Sequence, residues 1–535
     1  MSVFTSYPGV YIQELPSNAH TIAAAPTSVT VFVGYSHPFK TNSFGTPVEL
    51  FSFSDYEREF GGIFQSSVID NNLPYAVSQF FLNGGTDAVV VGLQPSYYND
   101  SVSPPTLTGS ITPGTVTVDA GAGPVGIVFT ALQPTDIAAT ATSPGTVMTI
   151  TISNIQNSGA TADITITYAS QQEVYRKVTL VNTDPNYIEA RINNISALVT
   201  VSPSTAYPAS FTATGTPSPT ISTTPPAGTT GVFNPGDYTA VFQVDSALDK
   251  WPIFNLLVTP GVPNSSSSTL LNEAQVVLSE ALAFCERKMA FFIMDPPSTY
   301  VADPGLTNSI DTNTPPVSPN GAIYFPYIQS NDPTSGAAVN LPPSGTVAGI
   351  FAREDTNRGV WKAPAGLETV ILNTTGVVPS GVMTDPRQGT LNNDGINCLR
   401  TFPSVGTVVF GARTLVYPNI ALQTQWGYVP VRRMALFIEQ TLKAALVWAV
   451  FEPNDEPLWT AIRVSVESFM MSLFNQGAFA GSTPSEAFQV VCDSTTTTPD
   501  DVNLGQVNVI VAFAPLKPAE FVIVKITQLA GQPQS

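Results

Sequence analysis

Charge is scarce in this chain. Charged residues make up 11% of its 535 positions, under half the roughly 25% usual for soluble globular proteins. What charge there is leans one way, with 39 acids against 20 bases and a formal net charge of −19. That balance repels nucleic acid and anionic membranes and suits a basic partner, although acidity also serves plain solubility. Histidine is nearly absent. His20 and His37 are the two present, neither sits in a cluster of His, Cys and carboxylates at metal-ligand spacing, and surface or capping roles are expected for both. The three cysteines, Cys285, Cys398 and Cys492, are odd in number and far apart, with no CxxC. They are read as reduced, buried thiols of a cytoplasmic product rather than a disulfide framework.

Other absences narrow the function. The start, MSVFTSYPGV, lacks a basic segment followed by an apolar one, so no secretory signal is expected. No uninterrupted apolar run reaches the length of about 18 residues that a membrane span requires. The richest stretch, MALFIEQTLKAALVWAVF, carries Glu439 and Lys443 and reads as a buried amphipathic helix. A Gly-Lys-Ser/Thr phosphate loop is missing, and the turn TPGVPNSSSS lacks the glycine spacing of a dinucleotide site. Ser344, in PPSGTVAG, lacks the nucleophile elbow and a nearby histidine. A tight turn is expected there. No catalytic, cofactor or metal residue is assigned. A hydrolase using Ser344 and a β-rich surface adhesin remain as alternatives, the first opposed by the missing base and the second by the missing signal.

What the chain does contain is proline (47), glycine (38) and 43% apolar residues, enough for packed cores with many turns. The length predicts two to four domains. YPGVYIQEL reads as an alternating strand in an N-terminal arm, and TSVTVFVGY as a central strand. Helices are expected in SFSDYEREFGG, with Ser54 and Glu57 at capping-box spacing, and in LPYAVSQFFLNGG, each stopped by a glycine pair; the second runs into the strand DAVVVGL. Near residue 95 the composition turns to Thr, Ser, Pro and Gly, with period-2 runs such as ADITITYAS. This predicts an all-β insertion over 95–240, of sandwich type, with 208–231 as an exposed loop. Beyond 241 a strand, the helix LLNEAQVVLSEALAFCERK and the strand MAFFIMDPP form a βαβ unit with parallel strands. Helices dominate 430–480, and the last 50 residues are β again. The chain ends on KPAEFVIVKITQLAGQPQS, a β-branched apolar run where polar residues are usual.

Several stretches taken in order carry a resemblance: YPGVYIQELPSNAHTIAAAPTSVTVFVGYS, FFLNGGTDAVVV, FNLLVTPG, ERKMAFFIMDPP, LPPSGTVAGIFAREDTNRGVWKAPAG, GINCLRTFPSVGTVVFGARTL, YVPVRRMALFIEQTLKAALVWAVFEPNDEPLW and APLKPAEFVIVKI. Together they resemble the tail sheath proteins of contractile phage tails and related injection systems, and they cover the chain outside 95–240. The resemblance implies an α+β multidomain fold. Its parts would be an N-terminal arm (1–20), an inner domain from 21–94 with 400–515, a protruding β-rich insertion (95–240), a middle αβ domain (241–399) and a C-terminal strand arm (516–535). It implies a structural subunit, not an enzyme. Hexameric rings of it would stack around an inner tube, contraction from a metastable state would drive the tube without ATP, and baseplate and terminal cap proteins would be further partners. Assembly would occur in the bacterial cytoplasm, with no nucleic acid, no cofactor and no membrane insertion.

The resemblance also implies a role for the ends. The arms would leave their own subunit and add strands to neighbours, with Val10, Tyr11 and Ile12 in one donor, from Val10 to Leu15. Phe521, Val522, Ile523, Val524 and Ile526 would lie in the other, from Phe521 to Gln528. The acceptor would be a hairpin of 487–493 with 507–513, carrying Phe488, Val490, Val491, Val507, Val509 and Val511. The segment holding Arg353, Glu354, Asp355, Arg358 and Lys362 reads as a mixed-sign loop suited to contacts between subunits.

Overall fold

A computed structural model describes residues 20–66, 69–99, 101–118, 125–135, 147–168, 171–215, 217–262, 268–296, 316–334, 336–378, 383–417 and 425–524. The chain divides into two compact units. The larger comprises Thr27–Arg358 with Ala363–Arg432, and the smaller comprises Met1–Pro26, Gly359–Lys362 and Arg433–Ser535.

The larger unit is built on an eight-stranded sheet. Its strands are β1 (Thr30–Tyr35), β2 (Pro47–Leu50), β3 (Ala88–Leu93), β13 (Leu256–Val258), β14 (Phe291–Met294), β15 (Gly321–Phe325), β19 (Ile396–Phe402) and β20 (Gly406–Val409). They lie in the order β2-β3-β1-β13-β14-β15-β19-β20. The six inner strands pair in parallel, while β2 and β20 close the edges in antiparallel fashion. Runs such as TVFVGY, AVVVGL and FFIM are apolar without alternation and buried throughout, as strands covered on both faces must be. The βαβ unit is present, with β13 and β14 parallel on either side of the helix Ser268–Lys288.

Three sequence expectations are corrected here. Of the inner domain expected from 21–94 with 400–515, residues 27–94 and 400–432 share the larger unit with the 241–399 segment, β1 pairing with β13, whereas Arg433–Ser535 falls in the smaller unit with Met1–Pro26. PPSGTVAG is not a tight turn, because the helix Ser344–Arg358 starts at its serine. The glycines that suggested a turn serve helix packing instead. A Cβ on Gly345 would lie 2.5 Å from the Ala76 carbonyl oxygen, and one on Gly349 would lie 2.5 Å from that of Phe80. Their absence lets this helix approach the backbone of the helix Asn72–Leu82. The first helix is also capped differently from expectation, by Ser52 with Asp55 rather than by Ser54 with Glu57.

The insertion has its own core between two sheets, but it is not all-β as expected, because the short helix Ile188–Ile192 buries Ile188 and Ile192 in that core. One sheet orders β10 (Gln171–Thr179), β9 (Thr161–Tyr168), β8 (Met148–Gln156) and β12 (Thr220–Ile221); the other orders β11 (Val199–Pro203), β7 (Ile127–Ala131) and β6 (Thr115–Val118). Alternate side chains, such as Ile150, Ile152, Ile164 and Ile166 from one sheet and Ile127, Phe129 and Val199 from the other, fill a shared core. Phe211 and Ile221 are buried in it too, so 208–231 is not wholly exposed. A hairpin of β4 (Ser96–Asn99) and β5 (Thr106–Ser110) leads in. Tyr98 and Gly231 pair as an antiparallel bridge, so the chain leaves and returns side by side. The remaining strands β16 (Tyr327–Asn331), β17 (Ala338–Leu341) and β18 (Gly376–Val378) form a small separate sheet.

His37 is wholly buried where the insertion meets the sheet, against the expectation of a surface role. Its Nδ1 accepts the Phe39 N–H, which leaves the proton on Nε2 to be donated to Gln133 Oε1 at 3.1 Å. Burial, with Lys40 nearby, lowers its pKa to about 3. The three cysteines are buried and free, as expected.

Candidate assembly site

The smaller unit packs around the facing sides of two helices, Val429–Ala445 from its Arg433 onward and Glu456–Asn475. Asp455 starts the second helix by accepting the Leu458 N–H, with Pro457 in its first turn, a strong start signal. Met434, Phe437 and Ile438 share a core with Leu458, Trp459, Ile462, Val466, Phe469 and Met470.

Onto this core folds a two-stranded antiparallel sheet, β21 (Phe488–Val491) with β22 (Ile510–Phe513), in the register Phe488 to Phe513 and Val490 to Val511. Val490 is buried in the core, and Phe488, Val511 and Phe513 pack partly against it. The Phe479 ring lies 6.1 Å from Phe488 and 5.8 Å from Phe513. Beyond β22 the chain is tied once more, Ala480 N–H donating to Ala514 O at 2.9 Å and Phe479 bridging Pro515. Past that point residues 516–524 form neither helix nor strand. Phe521, Val522, Ile523 and Val524 are 72–84% exposed.

The hairpin therefore exists, but in shorter form than expected. Val507 and Val509 precede β22 and pack sideways on the core. Val10, Tyr11, Ile12 and Ile526 lie outside the described residues. The charged segment is corrected from loop to helix as far as Arg358. Arg353 donates to the Val370 carbonyl at 2.8 Å and Glu354 is buried, while Arg358 pairs with Glu368 across 2.9 Å at the surface, a contact worth about 0–1 kcal/mol. Asp355 and Lys362 are half-buried.

The stretch MALFIEQTLKAALVWAVF is also corrected. Its helix ends at Ala445, and a single 3-10 turn, Val447–Ala449, follows. Val447, Val450 and Phe451 are exposed. The signal was present in the following EPNDEP, whose acids and prolines belong to a new helix start rather than to a continued core. Ser344 is buried, and its hydroxyl and N–H both donate to Asp295, so it offers no accessible nucleophile. Among the described residues no group of His, Cys, Asp and Glu is placed to hold a metal ion, and no helix is long and apolar enough to cross a membrane.

Comparison with known proteins decides the family. Residues 242–415 match the phage tail sheath protein central domain and residues 423–528 the phage tail sheath C-terminal domain, together just over half of the chain. The chain belongs to the phage tail sheath proteins. The tail sheath protein of Burkholderia phage BcepMu is 25% identical over 230 residues, 42% of this chain and 46% of that protein. A putative prophage major tail sheath protein of Pseudomonas aeruginosa is 28% identical over 200 residues, 36% of this chain and 48% of that protein. This sheath chain thus matches about half the length of these relatives. Its fold is shared with the sheath of the anti-feeding prophage in the contracted state (TM-score 0.55, 23% identity, 98% of this chain and all of that one). It is likewise shared with the PVC sheath of an extracellular contractile injection system in the contracted state (TM-score 0.53, 22% identity, 98% and 99% covered).

Proposed function

We propose that this chain polymerises as stacked hexameric rings around an inner tube, and that contraction from a metastable extended state drives the tube through a target envelope without ATP. Baseplate and terminal cap proteins would complete the particle, assembled in the bacterial cytoplasm. The observation that supports this reading is the exposed apolar run Phe521–Val524 in the same unit as the two-stranded sheet β21–β22. A two-stranded sheet is marginal alone, and open strand edges are templates for pairing. Strand addition from neighbouring copies answers both needs, with the N-terminal arm around Val10–Ile12 as the second donor. About four to six backbone hydrogen bonds per donor, at roughly 0.5–1.5 kcal/mol net each, would be joined by roughly 1.5–3 kcal/mol for each apolar side chain that becomes fully buried. Repeated around each ring, this would link the subunits into a mesh that persists while rigid bodies repack during contraction.

The test is removal of residues 519–535. The truncated chain should be soluble and folded yet form no tubes under negative-stain microscopy. Normal sheaths from that truncation would refute strand exchange.

A further inference from the structure

The far end of the insertion carries a surface that its own packing does not require. Strand β9 sets the direction. At its last residue, the Tyr168 hydroxyl donates to Pro134 O at 2.7 Å and lies 3.1 Å from the carbonyl oxygen of Gln65, outside the insertion. Its first residue, Thr161, is about 23 Å back along the strand at the usual rise. At that far end both neighbouring strands bulge around one carboxylate. Tyr175 pairs with Ile164 and Val178 with Ala162, which leaves Arg176 and Lys177 opposite Asp163. On the other side Ser153 pairs with Asp163 and Gln156 with Thr161, which leaves Asn154 and Ile155 opposite Ala162. Asp163 holds both bulges, its Oδ1 accepting the Lys177 N–H at 2.8 Å and its Oδ2 accepting from Asn154 Nδ2 at 2.9 Å.

Successive residues of a regular strand point to opposite faces. Here Tyr175 and Val178 are both buried and Arg176 and Lys177 both exposed, so two cations share the solvent face. Among the described residues neither of their side chains makes a hydrogen bond or salt bridge. The backbone around them is unusual too. Asn154, Asn157, Ser158 and Lys177 have φ between +47° and +56°, four of the eight non-glycine residues with positive φ among those described. Asparagine tolerates that conformation, while serine and lysine adopt it at a cost. It is fixed rather than slack, because Gly159 O accepts the N–H of the core residue Phe211 at 2.8 Å. Left-handed residues of this kind cluster at binding and switching surfaces, and bulges serve to re-aim side chains.

What the surface offers selects its partner. Beside the two cations stand the exposed amides of Gln156 and Asn157 and the exposed hydroxyl of Ser158. The exposed apolar side chains nearest in sequence, Val174 and Val181, are of a type that rarely anchors a protein contact. A densely charged polyanion such as nucleic acid is repelled by the net charge of −19. We propose that the far end of the insertion binds an acidic polysaccharide. Scattered carboxylates of the polymer would pair with Arg176 and Lys177, and its hydroxyls would meet the amides of Gln156 and Asn157. This goes beyond the sheath reading and needs neither strand exchange nor contraction.

The full chain, immobilised on a sensor, should retain polygalacturonate but not neutral dextran, and retention should fall steeply between about 50 and about 500 mM salt. Arg176→Ser with Lys177→Asn should cut retention roughly tenfold or more, asparagine keeping the left-handed backbone, with melting temperature and tube formation unchanged. Should that pair lower the melting temperature, Arg176→Ser alone, which leaves the Asp163 bonds in place, reads the same loss in part. Arg58→Ser with Lys250→Ser removes two exposed cations elsewhere and should leave retention as it was. No retention of polygalacturonate, equal retention of dextran, tighter binding of double-stranded DNA, or equal losses in the two pairs would each overturn the proposal. Loss of tubes in the first pair would mark the surface as a contact between copies and overturn it as well. Tubes formed by the chain lacking 519–535 would overturn strand exchange alone and leave this proposal standing.

Discussion

Ser344 donates its hydroxyl to Asp295 Oδ2 across 2.5 Å, and its N–H to Oδ1 of the same carboxylate across 2.8 Å. Gly261 N–H supplies a third bond at 3.0 Å. The carboxylate at the end of β14 thus caps a helix that begins 49 residues later. Ser344→Ala should cost about 1–3 kcal/mol, because it strips a hydrogen bond from a buried carboxyl group. Urea unfolding measures this, and no hydrolytic activity should be gained or lost with it.

Asp295 and His37 give the larger unit two opposing pH responses. Burial raises Asp295 from 3.8 to about 7 against the hydrogen bonds that pull it down. The folded state then binds the extra proton, so this group's contribution to stability is full below about pH 4 and is lost as pH rises through 7. Burial lowers His37 from 6.5 to about 3. Its contribution is full above 6.5 and is lost as pH falls toward 3. The slopes oppose one another in the intact chain. Melting curves between pH 4 and 8 should therefore tilt toward alkaline stability in Asp295→Asn and toward acid stability in His37→Gln.

Gly345→Ala and Gly349→Ala should each destabilise by about 1–3 kcal/mol, the usual range for overpacking, since the neighbours in the way are backbone atoms of the helix Asn72–Leu82. Denaturant midpoints test this, with Gly389→Ala as a control, since a Cβ there meets nothing within 4 Å.

These glycines also mark where the sequence misleads. Pro342, Pro343, Gly345 and Gly349 are breakers by propensity, yet the prolines precede the helix and the glycines let two backbones meet. Local patterns were legible wherever burial alone decides, as in TVFVGY and FFIM. The insertion was legible because alternation and composition change together near residue 95. Sheet order was not. Thr30 pairs with Leu256 across 226 positions, and nothing in either strand's residues names its partner. At the assembly site the apolar run near the end was plain, but the limits of β22 were not, since Val507 and Val509 satisfy the same pattern while packing on helices.

Replacing residues 100–230 by a short Gly-Ser linker should leave a folded, soluble remainder. Tyr98 and Gly231 exchange backbone hydrogen bonds of 2.9 and 3.2 Å, so the cut ends already lie side by side. The loss of His37, Gln65 and Lys40 contacts to Gln133, Tyr168 and Ala197 should lower the melting temperature without broadening the transition. Circular dichroism and calorimetry check both.

Ile523→Asp should leave the melting temperature of the isolated subunit unchanged, because the side chain is exposed, while abolishing tubes. Val490→Asp should unfold the smaller unit instead, since it places a charge in that unit's core.

The glycine seam between the helices Asn72–Leu82 and Ser344–Arg358 has a mechanical meaning. Where Gly345 and Gly349 meet the backbone of Ala76 and Phe80, the glycines offer no side chain of their own to change rotamer and absorb a push. A seam of this kind has little slack, so the two helices are expected to shift together as one piece.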